Sequence, residues 1–244
     1  MTPDWPYPFW IAHRGAGKLA PENTLASFRL GAAHGYRCFE CDVKLSSDDV
    51  PFLLHDADLQ RTASTEGTAG AMPWTALSAL DAGGWHSAPY IGEPLPSLAR
   101  IAAFVLGNAF TLNLEIKPTP GAERHTGEVV AHHARRLWAA ASAPPLLSSF
   151  KPQALAGALA IAPELPRALL LDALWEGWQR VARDLACVAV VCNHRLLNAD
   201  TVAAMRREVR RVLVYTVNEP DDVLRMKALG VDGVITDAVD RFKP

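Results

Sequence analysis

The sequence has no apolar run approaching the ~18 residues that cross a bilayer, and its opening, from Met1 to Gly15, has neither a basic start nor an apolar stretch of signal-peptide length. A secreted or membrane-spanning protein is therefore not expected, and the setting read from the chain is cytoplasmic. Cysteine is scarce. Cys38, Cys41, Cys187 and Cys192 lie mostly within apolar runs, at spacings that fit neither a zinc ribbon nor a disulfide framework, so they read as buried free thiols. Charge of one sign is lacking too. With 24 Lys+Arg against 26 Asp+Glu, the formal charge of −2 supplies no global field for nucleic acid or an anionic membrane, and any anion site must be local. No repeat, linker or low-complexity tract marks a second domain. What is present is a chain of 244 residues, 50% hydrophobic, with ample material for a core and nothing that chooses between monomer and homodimer.

Short β-branched or apolar runs recur between Ala/Leu/Arg-rich stretches of helical periodicity, which is the pattern of an α/β fold. Nine runs read as strands: Phe9–His13, Cys38–Leu45, Val50–His55, Thr111–Lys117, Leu146–Phe150, Arg167–Leu171, Cys187–Cys192, Arg211–Val217 and Gly233–Thr236. Only Ser46 to Asp49 separates the second from the third, too little for a parallel crossover, so these two form an antiparallel hairpin. Eight potentially parallel strands remain. Helices are expected over Thr24–His34, Ser97–Leu106, Glu123–Ala141, Pro152–Ala160, Trp175–Asp184, Asn198–Glu208 and Asp221–Leu229, several with glycine just past their ends. The alternation predicts a (β/α)8 TIM barrel over residues 1–244 as a single domain, with a doubly wound sheet as the alternative. Residues 57–96, rich in Gly and Pro and weakly periodic, read as a small cap inserted after the second strand.

Barrel strands should be apolar on both faces, because helices cover them outside and side chains fill the interior. Two strands break this rule. In Cys38–Leu45 the period of two puts Glu40, Asp42 and Lys44 on one face, and in Thr111–Lys117 it gathers Asn113, Glu115 and Lys117. These faces must look into the barrel. Carboxylates about 4 Å apart repel by roughly 4 kcal/mol at an effective dielectric near 20, which a cation would relieve. All-oxygen ligation by Glu40, Asp42 and Glu115 suits Mg²⁺ or Ca²⁺. A metal-free network of buried ion pairs is the competing reading. His13 ends the first strand, and counting back across the Asp48-Asp49 turn brings His55 beside Glu40 and Asp42. With Arg14 to clamp phosphate oxygens and Lys117 to add a point charge, the set reads as a phosphoryl-transfer site. Phe150, at the end of the Leu146–Phe150 strand, is expected to touch substrate.

These residues resemble the glycerophosphodiester phosphodiesterases, and the likeness runs nearly the whole chain. The blocks occur in order: His13-Arg14-Gly15, Pro21-Glu22-Asn23-Thr24, Glu40-Cys41-Asp42-Val43, His55-Asp56 with Arg61-Thr62, Leu114-Glu115-Ile116-Lys117, Ser148-Ser149-Phe150, Tyr215-Thr216-Val217-Asn218 and the stretch from Gly230 to Asp237. The resemblance implies a (β/α)8 barrel with a cap after the second strand. It implies hydrolysis of glycerophosphocholine, glycerophosphoethanolamine and similar small-molecule diesters to sn-glycerol 3-phosphate and an alcohol. One divalent cation, Mg²⁺ or Ca²⁺, would be held by Glu40, Asp42 and Glu115; His13 and His55 would be the acid and base, and Arg14 and Lys117 would hold phosphate. Which histidine does which, and whether water or the glycerol 2-hydroxyl attacks, stay open.

Two positions depart from the family pattern: the usual Asp-Gly hairpin turn reads Asp48-Asp49, and Tyr215 stands where Trp is typical, which bears on the glycerol pocket and the substrate range. Lysophospholipase D-like action on lysophospholipids is the alternative within the family. From other classes, a Lys117 Schiff-base lyase, a two-His-one-carboxylate iron site and a non-catalytic phosphate-binding module compete. Asn23 or Thr24 reads as a helix cap, Asp56 as an orienter of His55, and His125, His132 and His133 as a solvated helix face. Arg206, Arg207, Arg210 and Arg211 form a basic run that is not read as a nucleic-acid surface. Trp74, Trp85 and Tyr90 in the insertion either close over substrate or pack the cap.

Overall fold

The computed structural model describes residues 5–244. Its strands are β1 (Trp10–Ala12), β2 (Cys38–Leu45), β3 (Pro51–Leu53), β4 (Thr111–Ile116), β5 (Leu146–Ser149), β6 (Arg167–Leu171), β7 (Ala189–Asn193), β8 (Arg211–Tyr215) and β9 (Gly233–Thr236). They form one nine-stranded sheet in which β1 pairs with both β2 and β9, closing the ring. Only β3 is antiparallel, so eight parallel strands make a (β/α)8 barrel. Leu45 pairs with Pro51 and Val43 with Leu53, and the Leu54 amide then donates to the Asp42 carbonyl, so the chain returns along β2 as the turn count requires. Asp49 takes φ 59°, the left-handed conformation that the usual Asp-Gly turn gives to glycine and that Asp tolerates best among ordinary residues after Asn.

Helices α1 (Leu25–Ala33), α2 (Gln60–Ala63), α3 (Trp74–Leu77), α4 (Leu98–Gly107), α5 (Glu123–Leu137), α6 (Pro152–Ile161), α7 (Trp178–Asp184), α8 (Ala199–Glu208) and α9 (Pro220–Ala228) cover the sheet or fill the insertion. Most match the sequence periodicity, with trimmed ends. Glu123–Ala141 stops at Leu137, and the stretch before Trp178 is a turn with Gly177 at φ 88°. No helix follows β9 among the described residues, so the eighth unit has a strand only. No described helix is long and apolar enough to cross a membrane.

The packing separates into layers. Outward residues of the strands, such as Phe39, Cys41, Val43, Leu112 and Leu114, join the helices in the main core. Inward residues form a second cluster, with Tyr7, Ile11, Cys38, Leu146, Ala168, Leu170, Ala189, Val191, Leu213 and Ile235 plugging the barrel. The next inward position toward the carboxyl end of each strand is polar or aromatic: His13 above Ile11, Ser148 then Phe150 above Leu146, Asp172 above Leu170, Asn193 above Val191, Tyr215 above Leu213, Asp237 above Ile235. Alternation thus carries each strand from an apolar floor to a polar mouth, the end where barrel enzymes do their chemistry. All four cysteines are free and buried.

Between β3 and α4 the inserted segment has a core of its own, in which Phe52, Leu54, Leu59, Leu77 and Leu95 are buried. Trp74 packs against Phe52, and the Trp85 indole donates to the Ala82 carbonyl at 2.8 Å. Of the two readings for the insertion aromatics, packing is the one observed, since Trp74, Trp85 and Tyr90 do not line the cavity at the barrel mouth.

Candidate active site

That cavity holds about 380 Å³ and is lined by His13, Arg14, Glu40, His55, Asn113, Glu115, Lys117, Phe150, Leu170, Asp172, Tyr215, Thr216 and Ile235. Glu40, Asp42 and Glu115 each offer an oxygen, and these atoms lie within 4.8 Å of one another. The register explains the meeting, because β2 and β4 run in parallel with Asp42 beside Glu115 and Glu40 beside Asn113.

The three acids differ in charge state. Burial alone would raise Asp42, but Arg14, Lys117, His55 and an Asn23 hydrogen bond hold its carboxyl at about 2. Arg14 Nε lies 3.2 Å from Asp42 Oδ2, and Lys117 Nζ lies 3.6 Å from Oδ1. Glu115 goes the other way: burial and then the Asp42 charge push it up to about 7, although Lys117 Nζ is 3.0 Å away. Glu40 is also raised well above the ordinary value, by burial first and then by Asp42 and Glu115. Its Oε2 accepts the Arg14 amide at 3.1 Å, while its buried Oε1 has no partner. One fixed charge and two reluctant carboxyls, one of them with an orphaned oxygen, form a donor set suited to a hard divalent cation.

The histidines are prepared alike. His13 Nδ1 lies 2.6 Å from Asp237 Oδ1, and His55 Nδ1 lies 2.6 Å from Asp56 Oδ1, which leaves each Nε2 for the cavity. His13 Nε2 is 3.7 Å from Glu40 Oε2. Burial, helped by the Arg14 and Lys117 charges, lowers His55 below the usual imidazole value, so its neutral form prevails near neutral pH. Asp56 also accepts Arg61 Nε at 2.6 Å. Arg61 reaches from α2 to both oxygens of Glu22, at 2.8 and 2.7 Å, and Glu22 in turn accepts Arg14 at 2.8 Å.

The loop after β1 depends on its backbone. Arg14 has φ 51° and Gly15 φ 101°, and a Cβ on Gly15 would lie 2.6 Å from Ser27 Oγ, so glycine is required for α1 to pack here. Thr24 caps α1 through the Ser27 amide, as the sequence suggested. Asn23 is not the cap but a partner of the acidic cluster. At φ 59° it donates from Nδ2 to Asp42 Oδ2 at 2.8 Å and accepts the Asp42 amide at 3.0 Å, so it orients a candidate ligand. The sequence reading also missed Glu22, Asp237 and Asn218, which donates to Asp237 Oδ2 at 3.0 Å. The signal available for these was their place in the blocks that carry the family resemblance, Pro21 to Thr24, Tyr215 to Asn218 and Gly230 to Asp237.

Lys117 stays protonated. Burial opposes this, but Asp42 and Glu115 raise it further, which leaves no free amine for a Schiff base. The acidic cluster contains no histidine, contrary to what a two-His-one-carboxylate iron site requires. Phe150 and Tyr215 meet edge to face at 5.8 Å in the cavity lining, and Lys117 Nζ lies 5.8 Å above the Phe150 ring. His125 is exposed on α5 and pairs with Asp49 at 2.8 Å.

Comparison with known proteins follows the same lines. Residues 13–241 match the model of the glycerophosphoryl diester phosphodiesterase family. A phosphodiesterase of Oleispira antarctica, solved in complex with the product sn-glycerol-3-phosphate, superposes with a TM-score of 0.89 at 32% identity, covering 96% of this chain and 95% of that one. The glycerophosphodiester phosphodiesterase of Caldanaerobacter subterraneus subsp. tengcongensis is 29% identical over 234 residues, 93% of each protein. Human glycerophosphoinositol inositolphosphodiesterase is 49% identical over 88 residues, 33% of this chain and 16% of that protein. With the family model matched over nearly its whole length, the chain belongs to the glycerophosphoryl diester phosphodiesterase family.

Proposed function

We propose that the protein hydrolyses glycerophosphodiesters such as glycerophosphocholine and glycerophosphoethanolamine to sn-glycerol 3-phosphate and the free alcohol, using a divalent cation. The observation that carries this reading is the convergence of Glu40, Asp42 and Glu115 within 4.8 Å, between two imidazoles each tied to a carboxylate at 2.6 Å. Glu40, Asp42 and Glu115 would hold Mg²⁺ or Ca²⁺, which when bound withdraws charge from the phosphoryl oxygens.

Arg14 and Lys117 neutralise the remaining phosphate charge, Arg14 through its planar fork and Lys117 as a point charge. The carboxylates on Nδ1 fix both imidazole tautomers, so that one Nε2 takes a proton from the attacking oxygen and the other gives one to the leaving alkoxide. Each transfer contributes about 10²–10⁴-fold. Phe150 and Tyr215 exclude water from the part of the cavity that they line. Phe150, Leu170, Tyr215 and Ile235 are its only large apolar or aromatic lining residues, which favours a small polar diester over a lysophospholipid chain.

The test is release of glycerol 3-phosphate from glycerophosphocholine in Mg²⁺, Ca²⁺ or EDTA, with His13→Ala and Glu40→Ala as controls. Turnover that no divalent ion raises above those controls would end the proposal. Glycerophosphoinositol belongs in the same panel, because a relative is named for it. Appearance of a cyclic phosphate under single turnover would assign the attack to the glycerol 2-hydroxyl, and its absence would assign it to water.

A further inference from the structure

Two polar features of the cavity take no part in the chemistry above. Asn113 lines the cavity at 2% exposure with neither Nδ2 nor Oδ1 hydrogen-bonded, and Ser148, fully buried beside Glu115 in the register, has no partner for its Oγ. On the wall facing Arg14 and Lys117, Asp172 follows the end of β6 and is exposed at the mouth. Its Oδ1 accepts Asn193 Nδ2 at 3.2 Å and the Tyr215 hydroxyl at 3.3 Å. Both donors are neutral, since burial and then Asp172 itself raise Tyr215 and keep it protonated. Among the described residues no Lys, Arg or His pairs with Asp172. It is a carboxylate held in place by neutral groups, with Oδ2 left over, next to Tyr215, whose ring meets Phe150 edge to face.

A glycerophosphodiester has two arms, and the two features differ as the arms do. The common arm is a neutral diol, which suits a buried amide and hydroxyl offering both donors and acceptors. An ammonium there would lie next to the divalent cation that Glu40, Asp42 and Glu115 would hold, since Asn113 pairs with Glu40 and Ser148 with Glu115 in the register, and the two positive charges would repel. The variable arm carries a cation in choline and ethanolamine diesters. An exposed carboxylate beside aromatic rings receives such a cation while leaving part of its hydration intact.

We propose that Asp172, steadied by Tyr215 and Asn193, is a specificity-determining residue that receives the ammonium of a cationic headgroup and so biases the enzyme toward choline and ethanolamine diesters. The proposal rests on the phosphodiesterase reading above. The hydroxyl at position 215, where the resembled family typically has Trp, is one of the two donors that steady this carboxylate.

The test compares kcat/KM for glycerophosphocholine and glycerophosphoethanolamine with that for glycerophosphoglycerol, whose headgroup is uncharged, in the wild type and in Asp172→Asn. The amide keeps the shape and an acceptor for Tyr215 while removing the charge. The ratio of cationic to neutral substrates should fall about three- to tenfold in the variant, chiefly through KM, and the wild-type ratio should fall as salt is added. Equal losses on all three substrates would show that Asp172 serves the glycerol arm, and an unchanged ratio would show that it serves neither; both overturn the proposal. No wild-type turnover of any diester would instead strike the phosphodiesterase reading itself.

Discussion

Replacing Glu115 with glutamine should make the metal-free protein more stable while abolishing its activity. Burial and the Asp42 charge lift the Glu115 carboxyl from 4.5 to about 7, a difference of about 2.5 pH units after Lys117 has exerted its opposing pull. At about 1.4 kcal/mol per unit, ionised Glu115 costs the fold about 3 kcal/mol. The sign follows from proton binding. Because the folded value is the higher one, the folded protein holds a proton that the unfolded chain has already lost. Stability therefore falls as pH rises from the ordinary carboxylate range through about 7, where the penalty is complete. Glutamine has no such penalty, and Lys117 keeps Asp42 at 3.6 Å as a partner. In EDTA at pH 8, Glu115→Gln should melt about 6–12 °C above the wild type, and the gap should close toward pH 4.5. A divalent ion should raise the wild-type melting temperature and leave the variant nearly unmoved. Scanning calorimetry from pH 4.5 to 8 with and without the ion reads all of this. A variant less stable than the wild type at pH 8, or a gap independent of pH, would refute the reasoning.

Further outcomes test the rest of the site. Because burial lowers His55, the limb of the kcat/KM profile that it sets should lie below the ordinary imidazole value of about 6.5; rate gained as pH rises through that limb marks His55 as the base, and rate lost marks it as the acid. Asp56→Asn should lower kcat about 10–100-fold with little change in KM, since the substrate makes no contact with the amide that replaces the orienting carboxylate. Asn23→Ala removes both hydrogen bonds to Asp42 and should cost about 2–4 kcal/mol, with weaker divalent-ion binding by titration calorimetry. Gly31→Ala would set a Cβ 2.1 Å from the Gly15 carbonyl, so it should displace the His13-Arg14-Gly15 loop and lower kcat and melting temperature together. An active, unshifted Gly31→Ala protein would show that α1 can retreat without moving the loop.

Much of this was legible because barrel strands are apolar on both faces, which makes every inward carboxylate or histidine conspicuous. Glu40, Asp42, Glu115 and Lys117 could be placed by counting in twos, and the hairpin count placed His55, because register is set by short connections. Asn23, Glu22 and Arg61 were not legible as site residues. Their places depend on the left-handed turns at Arg14 and Asn23 and on a helix inside the insertion, and neither follows from periodicity. Asp237 lies 224 residues from His13 in the chain and meets it only because β9 closes against β1.

The near balance of charge acquires a specific meaning at the mouth of the barrel. Asp42 is ionised because Arg14 and Lys117 lie against it, so the cations that would hold phosphate are also what keeps one carboxylate charged in a buried place. Glu22 and Arg61 extend the network outward: Arg14 binds Glu22, Glu22 binds Arg61, and Arg61 binds the Asp56 that orients His55. The insertion thereby touches both the phosphate side and the imidazole side of the site through a single guanidinium. Exposed ion pairs of this kind contribute little stability one at a time, about 0–1 kcal/mol each. Their effect here is geometric, since the chain couples the rotamer of Arg14 to that of His55, and a change in the cap that moves Arg61 would displace both side chains at once.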